Sequence, residues 1–154
     1  MSVSSGPLLL DTSVVVHLAR GNDTGQAMDR QFGLRERRER PLLSIVSVGE
    51  LLSLARQWRW GEKRVARLRE LIGELVVIDL QREPILERYG EIDAWCKGRG
   101  RVLGNNDLWI AATCAAAGAL LLTNDQDFDP LDPQFLRRSY FEPLGPAGPA
   151  GTAS

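Results

Sequence analysis

The chain has 154 residues, 44% of them hydrophobic, and a formal net charge of -1: enough apolar material for one core, and too little charge for a general polyanion-binding surface. Two cysteines without close spacing, Cys96 and Cys114, and a single histidine, His17, exclude a disulfide framework and a zinc site built from cysteine and histidine. The longest near-apolar run, Leu108 to Leu122, is short for a membrane span and divided by Gly118, and the opening MSVSSGP carries no export pattern, so a cytoplasmic protein with no membrane association is expected.

In chain order, Leu8 to Leu10 reads as a short buried strand ending at Asp11, and Ser13 is placed to cap a helix carrying Val14, Val15, Val16, Leu18 and Ala19. Gly21 and Asn22 end that helix. A second helical stretch, Gly25 to Arg40, finishes in a basic cluster. Leu42 to Val46 then reads as a strand, and Ser47 fits an N-cap with Glu50 three residues on, the pattern of a capping box. Two helices follow as a hairpin, one with Leu51, Leu54, Ala55 and Trp58, the next with Val65, Leu68, Ile72 and Leu75 at helical spacing. Leu75 to Leu80 is strand-like, Ile85 to Cys96 returns to helical periodicity, and Lys97 to Asn106 reads as a basic, glycine-rich loop. Asp107 opens the clearest helix, Gly118 stops it, and Leu120 to Thr123 is a buried strand. Strands alternating with helices imply an α/β fold whose parallel sheet is covered on both faces. One domain over residues 1–144 is expected, followed by 145–154, GPAGPAGTAS, with the composition of a disordered tail.

Four acids stand where a fold gains nothing from charge. Asp11 and Asp125 lie just past strand ends, and Glu50 and Asp107 lie in the first turns of helices. In an open parallel sheet such positions meet at the carboxyl edge of the strands, where these folds bind ligands. Each alone has an ordinary explanation, because first-turn carboxylates suit the helix dipole and capping, and Asn124-Asp125 suits a turn. Together they point to one cause: convergent carboxylates repel one another unless a cation offsets them, and the hard ions Mg²⁺ and Mn²⁺ take oxygen ligands. The chemistry implied is metal-assisted phosphodiester hydrolysis. Thr12, Ser13 and Thr123 lie beside the acids as hydrogen-bonding support, and Asp127 reads as an auxiliary ligand or a turn residue.

The segments LLLDTSVVV, SVGELL, NNDLWIAA and TNDQDF, in this order from about Leu8 to Asp129, resemble the PIN domain, and more narrowly the VapC-type toxin ribonucleases of bacterial toxin-antitoxin pairs. The resemblance implies a three-layer α/β/α sandwich around a mostly parallel sheet, and a Mg²⁺- or Mn²⁺-dependent endoribonuclease acting as a homodimer. It further implies an RNA substrate (tRNA, rRNA or mRNA) and a cognate antitoxin that covers the groove. It places the catalytic and metal-binding acids at Asp11, Glu50, Asp107 and Asp125, a further acid at Asp127, and orienting hydroxyls at Ser13 and Thr123. The continuation DPLDPQFLRRSYFEPL is longer than the family's usual closing strand and leaves the register of the last strand open.

Other readings compete. LLLDTS also resembles the start of the haloacid dehalogenase pattern, but position 13 is serine where that pattern needs a second acid, and no convincing lysine motif follows. A non-catalytic PIN-like module that binds RNA or protein is the alternative; binding alone does not require a repulsive carboxylate cluster. A plain doubly wound domain whose acids are caps and turns would not change its melting temperature with metal. Of the 19 basic residues 17 are arginine, which suits phosphate recognition and equally follows from a GC-rich genome. Arg99 and Arg101, on the glycine loop near Asp107, are the candidates for RNA contact. Arg35, Arg37, Arg38 and Arg40 alternate with Glu36 and Glu39 and read as a solvated helix face with internal ion pairs. Trp58 is assigned to core packing, Trp60 to an exposed position open to a partner, Trp95 and Trp109 to core faces, and His17 to a structural role.

Overall fold

A computed structural model describes residues 6–145; apart from Gly145, the expected tail at 145–154 lies outside the described residues. The three-leucine run Leu8–Leu10 forms β1, wholly buried. It lies at the centre of a five-stranded sheet of order β3-β2-β1-β4-β5, with β2 at Leu42–Ser44, β3 at Val76–Ile78, β4 at Leu120–Thr123 and β5 at Arg137–Tyr140. Every neighbouring pair is parallel, so the sheet is parallel throughout. The pleat sends alternate residues to opposite faces. Leu8, Leu10, Leu43 and Leu122 enter one apolar cluster and Leu9 and Leu121 the other.

Helices cover both faces. On the first lie α1 (Thr12–Arg20), α2 (Asp23–Phe32), α3 (Ile45–Gln57) and α4 (Glu62–Gly73), which contribute Val14, Val15, Met28, Leu51 and Leu68 to the core. On the second lie α5 (Glu83–Gly98) and α6 (Asn105–Ala117), with Ile92, Leu108 and Ile110. The result is the expected three-layer sandwich. Both cysteines are buried and free, and among the described residues no helix is long and apolar enough to cross a membrane.

Several boundaries differ from expectation. Asp11 caps α1, its carboxylate accepting the Thr12 N–H, so Ser13 falls inside the first turn. Ser44 caps α3 through a bond from the Val46 N–H; β2 therefore ends two residues earlier than the apolar run suggests, and no capping box forms at Ser47 and Glu50. Gly33, in the left-handed region at φ 57, ends α2, so residues 35–40 are not helical. Arg35 pairs with Asp29 instead of a neighbour in the cluster, and Arg37 donates to the Gly6 carbonyl. Trp58 packs against the core as expected, half-buried, but Trp60 is buried rather than exposed, because α3 stops at Gln57 and Arg59 turns the chain at φ 55. Trp95 and Trp109 are half-buried, Trp95 edge-on to Phe135 and Trp109 stacked on Tyr89 with centroids 4.0 Å apart. His17 pairs with Asn22 through Nδ1 at 2.9 Å, at the junction of α1 and α2.

The last strand has a defined register: Leu120 lies opposite Arg137 and Thr123 opposite Tyr140. A 3-10 helix, Gln126–Leu131, precedes it and buries Phe128 and Leu131. The long continuation after Asp129 thus becomes the fifth strand.

Helix α2 approaches α1 closely at Gly25, where a Cβ would collide with the backbone carbonyl of His17. Gly25→Ala is therefore expected to lower stability by about 1–3 kcal/mol, read as a lower urea midpoint at unchanged slope. A wild-type midpoint would mean that the two helices separate without penalty.

Candidate metal centre

From β1 the chain moves outward to β2 and β3, then returns past β1 to β4 and β5. The carboxyl ends of β1 and β4 are therefore the point where the strand order reverses, the place where open α/β sheets form a crevice. Asp11 follows β1 and Asp125 follows β4. Glu50 arrives from the second turn of α3 and Asp107 from the first turn of α6.

Asp11 forms the floor of the crevice, only 4% exposed. Its Oδ1 accepts the Thr12 N–H at 2.8 Å; its Oδ2 accepts the hydroxyls of Thr123 at 2.7 Å and Ser13 at 3.3 Å. Each hydroxyl in turn accepts a backbone N–H from the loop after β4: Thr123 Oγ1 from Asp125 at 2.9 Å, Ser13 Oγ from Asn124 at 3.3 Å. Two side chains named as support thus clamp the strand-end loops to the deepest acid. Asp125 accepts the Asp127 N–H at 2.9 Å, which turns Asp127 toward the same crevice.

One carboxylate oxygen each from Asp107, Asp125 and Asp127 lies within 4.8 Å of the others. The trio thus includes Asp127, which the sequence left as a turn residue or auxiliary acid. Glu50 stands to one side, with both oxygens engaged: Oε1 by the Thr12 hydroxyl at 2.6 Å, Oε2 by the Asn106 amide at 2.8 Å. A carboxylate only accepts, so Thr12 gives its one hydroxyl proton to Glu50, and the Ser47 hydroxyl, 2.8 Å away, supplies the other bond to Thr12. The glycine-rich composition assigns Asn105 and Asn106 to the loop, whereas both belong to α6, which brings the Asn106 amide to Glu50.

The electrostatics follow from this crowding. Burial, and then the charges of Asp11, Asp125, Glu50 and Asp127, push the Asp107 carboxyl from 3.8 up to about 7. Burial also lifts Asp11 to about 6; the bonds from Thr123 and Thr12 pull it back, and the charge of Asp125 pushes it further up. An all-oxygen donor set with excess negative charge and elevated proton affinity fits a hard divalent cation. Of the two candidate RNA contacts, Arg101 lies on the flank beyond Asp127. Arg101 shares a cavity of about 380 Å³ with Gln126, Asp127 and Leu103, while Arg99 lays its guanidinium 4.3 Å from the Trp95 ring centroid.

The sequence matches the PIN domain over residues 8–132. The chain belongs to the PIN domain family. Ribonuclease VapC1 of Haemophilus influenzae (strain R2866) is 28% identical over 117 residues, 76% of this chain and 85% of that protein. Among solved structures, VapBC2 from Rickettsia felis, bound to a DNA fragment from its promoter, superposes with a TM-score of 0.74 at 22% identity, covering 88% of this chain and 98% of that one. VapBC-5 from Mycobacterium tuberculosis, a member of the VapBC family of toxin-antitoxin systems, gives 0.62 at 20% identity, covering 90% and 99%. These likenesses at low identity establish the PIN fold.

Thr123→Val in this PIN domain keeps the side-chain shape and removes the hydroxyl that joins Asp11 to the Asp125 N–H. Stability is expected to fall by about 1–3 kcal/mol, and any metal-dependent activity by about 10–100-fold. Thr123→Ser should restore both. Activity unchanged in the valine variant would show that the buried hydroxyl is not needed to hold Asp11.

Proposed function

We propose that the chain is a metal-dependent endoribonuclease, the toxin of a toxin-antitoxin pair, acting in the cytoplasm on RNA phosphodiester bonds through one nuclease domain spanning residues 1–144. The observation that carries this reading is the convergence of Asp107, Asp125 and Asp127 above the buried Asp11, in a chain whose relative is named a ribonuclease. Asp11, Asp107 and Asp125 hold Mg²⁺ or Mn²⁺, with Asp127 completing the cluster. Bound there, such an ion supplies Lewis-acid polarisation of a phosphate oxygen and activation of water. Glu50, fixed by Thr12 and Asn106, orients the attacking water. Ser13 and Thr123 keep Asp11 aimed at the cluster, and Arg99 and Arg101 receive the RNA backbone, Arg101 from the Asp127 side.

The partner reading rests on the solved relatives, whose names describe VapBC toxin-antitoxin systems; a cognate antitoxin would cover the groove and silence it. A second copy of the chain is the other partner. Strand β3 closes one edge of the sheet with Val76 and Val77 each 37% exposed, and a homodimer would cover apolar surface of this kind.

The deciding experiment is cleavage of a mixed RNA pool by the purified chain with Mn²⁺ or Mg²⁺, beside an EDTA control and an Asp11→Asn variant purified identically. Cutting that needs metal and disappears in the variant is the expected result. No cutting, together with no metal-induced change in melting temperature, would return the acids to caps and turns. A metal-induced shift with RNA bound but uncut would favour the non-catalytic module.

A further inference from the structure

We infer that a groove along α3, on the Glu50 side of the acids, receives the nucleobase beside the cleaved phosphate; this rests on the nuclease reading above. The acids have openings on two flanks of different chemistry. The Asp127 flank carries Arg101 and suits the charged backbone. The opposite flank is a groove of about 540 Å³, lined by Ile45, Gly49, Glu50, Ser53, Gln57 and Asn106 among others, with no lysine or arginine in its lining. A phosphate finds no cationic side chain there.

What the groove does offer is an apolar surface with hydrogen-bonding groups at its margin. Ile45 is 41% exposed and gives the groove an apolar surface beside the acids. Gln57 Nε2 donates to Ser53 Oγ at 2.9 Å, which leaves the Ser53 proton and the Gln57 carboxamide oxygen to address a donor-and-acceptor edge. Asn106, donating to Glu50 Oε2 at 2.8 Å, ties this lining to the acids, so an occupant lies next to the reacting centre. The volume falls in the range of small-ligand sites, ~300–1,000 Å³. A neutral, planar group with an apolar face and a mixed polar edge is the description of a base. To enter, the base must be out of any duplex, so the substrate is unpaired at the cut or unstacks there.

Gly49 supplies the test. It sits inside α3, where glycine destabilises a helix relative to alanine. A Cβ at this position meets nothing within 4 Å, so packing does not demand glycine, and a longer side chain would project into the groove. Wild type, Gly49→Leu and Gln57→Ala are compared on a random-sequence single-stranded RNA library with Mn²⁺, sequencing both sides of each cut. Wild type should prefer particular bases at one position flanking the cut. Gly49→Leu should raise KM at least tenfold and flatten that preference, while Mn²⁺ still raises its melting temperature as in wild type. Gln57→Ala, an exposed change safe for folding, should alter the preference and raise KM for the preferred sequence. An oligonucleotide abasic at the preferred position should be cut equally by wild type and Gly49→Leu.

Wild-type KM and base preference in Gly49→Leu would overturn the proposal. So would a Gly49→Leu protein that elutes as a smaller species with its preference intact, since the groove would then serve a second copy. Failure of the nuclease reading looks different: wild type itself would neither cut nor respond to Mn²⁺.

Discussion

Replacing Asp107 by asparagine is expected to abolish RNA cleavage and to raise the melting temperature of the metal-free protein at pH 8. Both effects follow from one fact: Asp107 is half-buried and faces four other carboxylates, whose charges join burial in pushing it up to about 7. At pH 8 the metal-free protein holds this charge at a penalty that the unfolded chain does not bear. Each unit of pKa corresponds to about 1.4 kcal/mol; with solvent screening at this open site, we expect the amide to recover about 1–2 kcal/mol, or roughly 3–8 °C. The same substitution removes a ligand oxygen from the trio, and cleavage should fall on the order of 10³-fold or more. Calorimetry with EDTA and a cleavage assay with Mn²⁺ check the two halves. A less stable variant at pH 8 would show that Asp107 anchors the fold; activity within tenfold of wild type would show that the remaining acids suffice.

This opposition between stability and function was already visible in the positions of the acids. Asp11 behind Leu8–Leu10 and Asp125 behind Leu120–Thr123 are legible because buried parallel strands are continuous apolar runs with sharp ends, and the fold brings such ends together. The partner of each acid was less legible. Leu42 to Val46 is unbroken apolar sequence, and periodicity cannot say where in it a strand yields to a helix. Ser44 and Ser47 are equally suited to capping by type, and only the structure shows Ser44 as the cap and Ser47 buried against Thr12. The two-turn placement of Glu50 follows from that shift.

The basic stretch failed for a different reason. Arginine and glutamate favour helix by propensity, but Gly33 takes a left-handed conformation that ends α2, and a lone glycine in a helical pattern does not announce which role it has. Helical spacing puts Trp60 on the exposed side, but α3 ends at Gln57 and Arg59 at φ 55 swings Trp60 into the core. Asp127 and Asn106 depend on local turns, a carboxylate accepting the N–H two residues on and an early start to α6. Spacing alone does not encode either contact.

Divalent metal should bind far more weakly in acid than at neutral pH. A cation competes with protons for Asp107, at about 7, and Asp11, at about 6; at pH 5.5 both are largely protonated and at pH 7.5 both are largely charged. Displacing these protons should weaken the apparent Kd for Mn²⁺ on the order of 10–100-fold between pH 7.5 and 5.5. Stability of the metal-free protein should move the opposite way. A carboxyl whose folded pKa exceeds its unfolded value binds protons more tightly when folded, so these two groups favour folding least at high pH, and their contribution declines from about pH 4 through about pH 7. His17, held below its usual value by burial, works in the other direction, which is why the comparison must include Asp107→Asn, where His17 is retained. The rise in melting temperature with saturating Mn²⁺ should therefore be larger at pH 7.5 than at 5.5 in wild type, and largely absent in Asp107→Asn. An Mn²⁺ response of equal size at both pH values would mean that the ion does not meet these two carboxylates, and would move the metal centre elsewhere.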